Sequence, residues 1–170
     1  MWLPPAARQP DAVWWCSPSP DSRSNRWHDK NRSPEENKKL ILEHYESFVH
    51  QQDADAVRRQ LAPDFLDHEM PLGTPPGPEA AVQYRAMLHT AFPDLRIQID
   101  EMIAEGDRVA VRATWTGTHR GSMSMIPVPP SNRSVRFTGM VFWRIHQGRI
   151  AERWATVDRL GLVQQLTANA

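Results

Sequence analysis

The chain has 170 residues, enough for one domain with a sizeable core and short of what two independent cores need. Its 20 lysines and arginines balance 20 aspartates and glutamates, and no basic run offers a positive surface to nucleic acid. One cysteine, Cys16, excludes an internal disulfide and a site of several thiolates, and no stretch approaches the roughly 20 apolar residues of a membrane span. We therefore expect a soluble, cytoplasmic protein that binds neither nucleic acid nor membrane.

The first 33 residues differ in composition from the rest of the chain. Five prolines alternate with serines there, and four tryptophans follow no helical or strand period. Such a segment cannot bury one face, so we predict a disordered extension over residues 1–33, with a docking segment for a partner as the alternative. The folded domain is predicted to comprise residues 34–170.

Helices are predicted in the first half of this domain. Residues 33–36 read Ser-Pro-Glu-Glu, which are the residue types of an N-cap, a first turn and a capping box, and apolar residues recur at helical spacing after them. Asp53 can cap a second, short helix, which Pro63 stops before an extended segment at 65–68. A third helix is predicted over residues 78–92.

The chain then changes to strand periodicity. Apolar and polar residues alternate from 95 to 100, and the turn Glu-Gly-Asp at 105–107 leads into a second strand at 109–113, which predicts a long hairpin. Residues 120–133 contain too many glycines and prolines for regular structure and are predicted to form a flap or rim.

Two more strands are predicted, one from 135 to about 145 and one from 150 to 157, and a short helix follows Asp158. Helices that precede an antiparallel meander indicate an α+β layer fold. A strongly curved sheet in such a fold leaves a cavity between the layers. That cavity is the natural place for an active site.

Five short patterns, in order, carry a family resemblance: Ala-Phe-Pro-Asp-Leu at 91–95, Glu-Gly-Asp-Arg-Val at 105–109, Thr-Gly-Thr-His-Arg-Gly at 116–121, Phe-Thr-Gly-Met at 137–140 and Gly-Arg-Ile-Ala-Glu-Arg-Trp at 148–154. They resemble the SnoaL-like polyketide cyclases, or ester cyclases, of the nuclear transport factor 2-like superfamily. The resemblance implies a cone-shaped α+β barrel, with three N-terminal helices packed on a curved antiparallel sheet that often pairs two chains into a dimer.

The resemblance also implies an activity: cofactor-independent, intramolecular aldol condensation of a polyketide ester or a related hydrophobic carbonyl substrate. The flap departs from the family pattern, because Ile-Pro-Val-Pro-Pro-Ser-Asn at 126–132 stands where a shorter proline-threonine-glycine turn is expected. Substrate choice is therefore not implied by the family.

Aldol closure needs a base that removes a proton from carbon, and a poorly solvated carboxylate suits that task. Asp158 matches the family's acid/base aspartate by its position four residues after Trp154, although it also suits the N-cap of the last helix. His119 shares strand parity with apolar residues and could protonate the new alkoxide, or could be a wall residue. His68 is a third catalytic candidate with the same two interpretations.

A second interpretation is an isomerase or dehydratase of the ketosteroid isomerase type, in which Tyr45 would donate a hydrogen bond and Glu69 would be the base. Trp115, Met140 and Trp154 complete the predicted substrate-binding residues. For Trp115, Trp143 and Trp154, core packing is the first interpretation and an aromatic pocket wall is the second. No His-x-His or His-x-x-x-His pair occurs, so we predict no metal site, and the resemblance implies that no cofactor is needed. A non-catalytic small-molecule carrier of the same fold stays open.

Overall fold

The computed structural model describes residues 32–168. Nearly all of the predicted disordered extension, together with Cys16 and residues 169–170, therefore lies outside the described residues. None of the helices within residues 32–168 is long and apolar enough to cross a lipid bilayer.

Four α-helices and one π-helical segment are present in the described part of the chain. They are α1 (Pro34–Tyr45), the π-helical segment Glu46–His50, α2 (Ala54–Gln60), α3 (Pro78–Ala91) and α4 (Arg159–Thr167). The predicted capping box is confirmed at α1, where Ser33 Oγ accepts from the Glu36 backbone N–H and the Glu36 carboxylate accepts from the Ser33 backbone N–H. Asp53 caps α2 as predicted.

Five strands form one sheet: β1 (Leu61–Asp67), β2 (Arg96–Glu105), β3 (Arg108–Thr118), β4 (Ser134–His146) and β5 (Arg149–Val157). Their order across the sheet is β1-β5-β4-β3-β2, and the last four form the predicted antiparallel meander. The predicted antiparallel sheet has one further strand that the sequence did not assign to it: β1 pairs in parallel with β5, so the complete sheet is mixed. Residues 65–67 of the predicted extended segment at 65–68 are thus part of an edge strand.

The helices cover one face of the curved sheet, which gives the predicted α+β cone of the nuclear transport factor 2-like fold. Buried residues of β3 and β4, such as Val109, Val111 and Val141, point to this inner face. The pairing of β4 with β5 shifts register between Arg144 and Ile145, and such an irregularity bends a sheet and changes which residues face inward. The outer face leaves large apolar side chains exposed, among them Phe142.

The flap between β3 and β4 lacks regular structure, as predicted, apart from one isolated bridge between Met123 and Ile126. Its base is tied by two backbone hydrogen bonds between His119 and residues at its far end, Asn132 and Arg133. Met123 and Ile126 are buried, so the flap packs back onto the domain.

Candidate active site

A cavity lies between the helices and the inner face of the sheet. Its volume is about 120 Å³. Its wall is mainly apolar and comes from all layers of the fold: Phe48 beside α1, Leu88 in α3, Trp115 in β3, Phe137 in β4, and Met123 and Met125 in the flap. Mostly apolar hollows with a few polar groups are typical small-molecule sites.

The polar groups of the cavity gather at one end. Asp67 of β1 and Arg153 of β5 are register partners on neighbouring strands, and Arg153 donates from one guanidinium nitrogen to both carboxylate oxygens of Asp67 at 2.9 and 3.0 Å. Trp143 of β4 is the register partner of Arg153 on its other side. These three side chains therefore form a transverse row across three strands.

Two residues at the end of α1 face this row. Burial raises the pKa of the Tyr45 hydroxyl to about 12, although the nearby positive charge of Arg153 opposes that rise. Burial lowers the pKa of His44 to about 4, and its Nδ1 lies 3.0 Å from the Gln60 side-chain oxygen. Both residues are thus held in their neutral forms at pH 7.

Two polar atoms in this group, the Tyr45 hydroxyl and the Trp143 indole N–H, are buried without a hydrogen-bond partner of good geometry among residues 32–168. The two rings pack edge to face, with centroids 5.8 Å apart and planes at 82°. The indole N–H is close enough to act against the burial-induced rise of the Tyr45 pKa. Buried polar groups without partners are uncommon and call for a physical explanation.

Glu69 lies at the wall of the same cavity, just beyond the end of β1. Its side chain is about one-third exposed, and its carboxylate is 3.5 Å from the Arg159 guanidinium. The cavity thus holds two carboxylates, Asp67 inside and Glu69 toward its mouth, beside the neutral donor Tyr45. This combination can move a proton within an otherwise apolar space.

The family model for SnoaL-like polyketide cyclases matches residues 39–166. The chain belongs to this family. Solved structures agree: IdmH from Streptomyces antibioticus, assigned as a polyketide cyclase, shares 30% identity over 76% of this chain and 97% of its own, with a TM-score of 0.66. A protein from Jannaschia sp. CCS1 assigned as a SnoaL-like polyketide cyclase shares 26% identity over 83% and 99% of the two chains, with a TM-score of 0.70.

TsrD from Streptomyces laurentii, at 22% identity over 81% of this chain and 99% of its own, has a TM-score of 0.72 and supports the fold alone. No curated protein matches the chain significantly.

Asp158, which the resemblance implies as the acid/base of this SnoaL-like protein, is exposed and does not line the cavity. One carboxylate oxygen accepts a hydrogen bond of 2.8 Å from the Gly161 backbone N–H, so Asp158 is the N-cap of α4. The preceding residue, Val157, does line the cavity. The cap interpretation is what the structure shows, and the catalytic role of Asp158 stays a prediction.

The two histidine candidates lie outside the cavity lining. His119 is fully buried against the Phe92 ring, with its Nδ1 3.3 Å from Ser131 Oγ, and burial lowers its pKa. It does not point into the cavity as expected from parity, because β3 ends at Thr118 and alternation ends with the strand. His68 stacks on Trp154 at 4.5 Å on the outer face of the sheet.

Among the predicted substrate-binding residues, Tyr45, Glu69 and Trp115 line the cavity, whereas Met140 and Trp154 do not. Met140 is exposed on the outer face, because its neighbour Val141 faces inward and strand side chains alternate. For Trp154 the reason is the register shift between β4 and β5.

That shift reverses the parity of β5. Ile150, before it, pairs with Ile145 and is buried in the core, and Arg153, after it, pairs with Trp143 and lines the cavity. Trp154 has the parity of Ile150, yet it faces outward, under the Arg108 guanidinium at 5.1 Å. A regular strand would have placed it inside.

Sequence analysis did not assign His44, Asp67 and Arg153 to the site, and it gave Trp143 a place in the pocket wall only as a second interpretation. Asp67 and Arg153 are separated by 86 positions, and no local pattern indicates that such residues pair. Strand parity favours the pocket wall for Trp143, since it shares that parity with Phe137 and Val141 of the cavity wall. Within residues 32–168, no three His, Cys, Asp or Glu side chains converge as a metal site would need.

The neutral His44 makes stability pH-dependent in a predictable direction. The unfolded chain binds a proton at this histidine below its ordinary pKa of 6.5, and the folded chain does so only near pH 4. Folding stability should therefore decrease as the pH falls from 6.5 to 4, by on the order of 3 kcal/mol from this residue. Urea unfolding at pH 7 and pH 4.5 should show a smaller loss for His44→Gln than for the wild type.

The exposed His146 provides the matched control, because His146→Gln should keep the pH dependence of the wild type. An equal loss of stability in His44→Gln and the wild type would show that His44 is not the residue responsible.

Proposed function

We propose that this protein is a cyclase-type enzyme that closes a ring in a hydrophobic polyketide ester or related carbonyl compound by cofactor-independent acid/base catalysis. The observation that carries this proposal is the apolar cavity with two carboxylates and a neutral buried tyrosine at one end. An apolar wall holds the substrate chain folded and excludes water, and the polar end supplies the group that removes a proton.

Of the two carboxylates, Glu69 is the better proton acceptor. Asp67 is occupied, since its oxygens accept from Arg153 and from the Glu69 backbone N–H. The Glu69 carboxylate has only the 3.5 Å ion pair with Arg159 among the described residues. Glu69 would take the proton from a carbon between two carbonyl groups, and the carbanion would attack a further carbonyl carbon of the same chain. As the new C–C bond forms, the π bond of that carbonyl breaks, its electron pair moves to the oxygen, and the proton returns to the resulting alkoxide.

The same geometry favours a second candidate, an isomerase or dehydratase of the ketosteroid isomerase type. Tyr45 and Glu69, the predicted donor and base of that reaction, line one cavity. Such an enzyme would take the same proton and return it to another carbon or expel a hydroxide, without forming a ring. A non-catalytic carrier would bind the compound unchanged.

Turnover distinguishes these functions. Purified protein without added metal is incubated with an anthraquinone-type polyketide methyl ester, and the products are separated by chromatography and identified by mass and NMR. Ring closure faster than in buffer would support the cyclase, and a rearranged or dehydrated product would support the second candidate. Binding of the ester without any product would overturn both and leave a carrier.

We also propose that two copies pair through the outer face of the sheet. Ile103, Met140 and Phe142 are each more than half exposed there, although large apolar side chains favour burial. Phe142→Asp should therefore convert a dimer to a monomer in sedimentation velocity experiments. Leu72→Asp, at an exposed loop position away from the sheet, is the control, and an unchanged dimer in Phe142→Asp would contradict the interface.

A further inference from the structure

The cavity is small for a polyketide ester. Its volume of about 120 Å³ is less than that of an engineered apolar cavity of roughly 150 Å³ that binds benzene in another protein, and small-molecule sites usually measure roughly 300–1,000 Å³. One aromatic ring therefore nearly fills the cavity. A substrate with several rings, or with a long folded chain, needs additional space, and one wall of the cavity has to supply it.

The flap between β3 and β4 is the wall that is held most weakly. The other walls come mainly from helices and strands, whose backbones are hydrogen-bonded in regular structure. Within residues 32–168, the flap tip (residues 122–130) forms no hydrogen bond to any residue outside the flap, and its one bridge, Met123 to Ile126, is internal. Apolar contacts, which are not directional, hold the tip against the core.

Both ends of the flap are fixed, in contrast to its tip. Across the base, the His119 N–H donates to the Arg133 carbonyl oxygen at 2.9 Å and the Asn132 N–H donates to the His119 carbonyl oxygen at 2.8 Å. The Gly121 N–H donates to the Ala91 carbonyl oxygen, which ties the start of the flap to the end of α3. Movement of the flap is therefore confined to the tip between these anchors.

Two methionines of the tip lie where a larger substrate would extend. Met123 and Met125 both line the cavity, and Met123 is only 6% exposed. Ser122 and Ser124, which alternate with them, are exposed, so the tip directs its apolar side inward. Methionine is unbranched and flexible, which lets it fill a cavity of irregular shape. If the tip withdrew, the volume of both side chains would be added to the cavity.

We propose that the flap tip is a lid whose methionines, Met123 and Met125, set the size limit of the substrate, and that a substrate of more than one ring binds by displacing them. This inference rests on the proposed function and adds to it the element that selects the substrate by size. Displacing the tip exposes apolar surface to water, so the apparent affinity for a large compound is reduced by the cost of opening. A one-ring compound binds without that cost.

Two ligands of different size test the lid without any turnover. Binding of phenol, with one ring, and of 2-hydroxyanthraquinone, with three, is measured by isothermal titration calorimetry in the wild type and in the double variant Met123→Ala, Met125→Ala. The double variant lacks the side chains that have to be displaced, so its affinity for 2-hydroxyanthraquinone should rise by about tenfold or more. Its affinity for phenol should change much less. Met125→Ala removes only a partly buried side chain, should give a smaller rise, and decides the matter if the double variant does not fold.

Met87→Ala is the matched control and should keep both wild-type affinities, because Met87 is an exposed methionine of α3 outside the cavity lining. Hydrogen exchange provides a second measurement in the wild type. Binding of 2-hydroxyanthraquinone, but not of phenol, should accelerate exchange at the Ile126 and Val128 amides, whose hydrogen bonds lie within the tip. The His119 amide at the fixed base should stay protected.

An unchanged ratio of the two affinities in both methionine variants, or unchanged exchange at the tip with 2-hydroxyanthraquinone bound, would overturn the lid. Failure of the folded wild type and variants to bind either compound would overturn the substrate class as well. Ring closure of the ester with an unchanged affinity ratio would sustain the proposed function without the lid. A raised ratio without ring closure would sustain the lid and reject the enzyme.

Discussion

Glu69→Gln should reduce ring closure of the polyketide ester by about 100-fold or more, because loss of a general base typically costs this much. The substitution keeps the shape of the side chain and removes its capacity to accept a proton at physiological pH. Since Glu69 is partly exposed, the fold should be retained. The measurement is the initial rate of ring closure at saturating ester, together with a thermal unfolding curve for each variant.

Asp158→Asn is the informative comparison. Asparagine caps a helix about as well as aspartate, so this variant should unfold at nearly the wild-type temperature. The structure places Asp158 on the surface at the cap of α4, and we expect its substitution to leave most turnover intact. Loss of turnover in Asp158→Asn and retention in Glu69→Gln would instead assign the base to Asp158, as the family resemblance implies.

A third variant guards against a general effect of removing negative charge. Glu105→Gln alters an exposed glutamate in the β2–β3 hairpin, outside the cavity lining. Its rate should equal that of the wild type. A decrease similar to that of Glu69→Gln would mean that the loss is not specific to the cavity.

Arg153→Met should lower the free energy of unfolding by about 3–5 kcal/mol, which is the usual cost of leaving one charge of a buried pair without its partner. The Asp67 side chain is only 6% exposed and its partner 17%, so solvent cannot replace the lost guanidinium. The substitution retains a flexible apolar side chain of similar length, which limits the cavity that is created. Urea denaturation at pH 7 provides the measurement.

The double variant Asp67→Leu, Arg153→Met tests the cause of that loss. With both charges removed, much of the stability should return, because a buried ion pair can be replaced by apolar residues at little net cost. If the double variant is less stable than Arg153→Met alone, the loss arises from packing of the arginine stem. A single variant as stable as the wild type would mean that Asp67 is not held in a costly environment.

The ion pair also connects stability with the site. Arg153 fixes Asp67, lies beside the Trp143 ring and acts electrostatically on Tyr45. A stable double variant therefore also tests whether the row of side chains across β4, β5 and β1 only holds the cavity in shape. If it supplies charge as well, ring closure should slow even though stability has recovered.

Local signals predicted most of the elements correctly. The capping residues of α1 and α2, the turn at 105–107 and the breaker-rich flap each depend on residues a few positions apart, and all are found in the structure. The parallel pairing of β1 with β5 was not predicted. It joins residues about 86 positions apart, and the alternation of apolar and polar residues within a strand does not indicate which distant strand will pair with it.

The candidate site was only partly predictable for the same reason. The helical stripe of α1 carries Tyr45 to the interior, and that prediction needs only the 3.6-residue period. Strand alternation predicts the inward face of β4 as far as Trp143, but one register shift places Trp154 outside and Arg153 inside. A single shift of this kind changes the face of every residue after it.

The sequence by itself determined the order of helices and strands, their caps and turns, and membership of a family whose fold encloses a cavity. Each of these depends on residues that are close together in the sequence. Only the tertiary structure decided which polar groups meet there. It placed Asp158 at a surface cap and brought Tyr45, Asp67, Trp143 and Arg153 together from four separate elements. Sheet curvature and strand register determine which of these side chains come into contact, and both arise from packing across the whole domain.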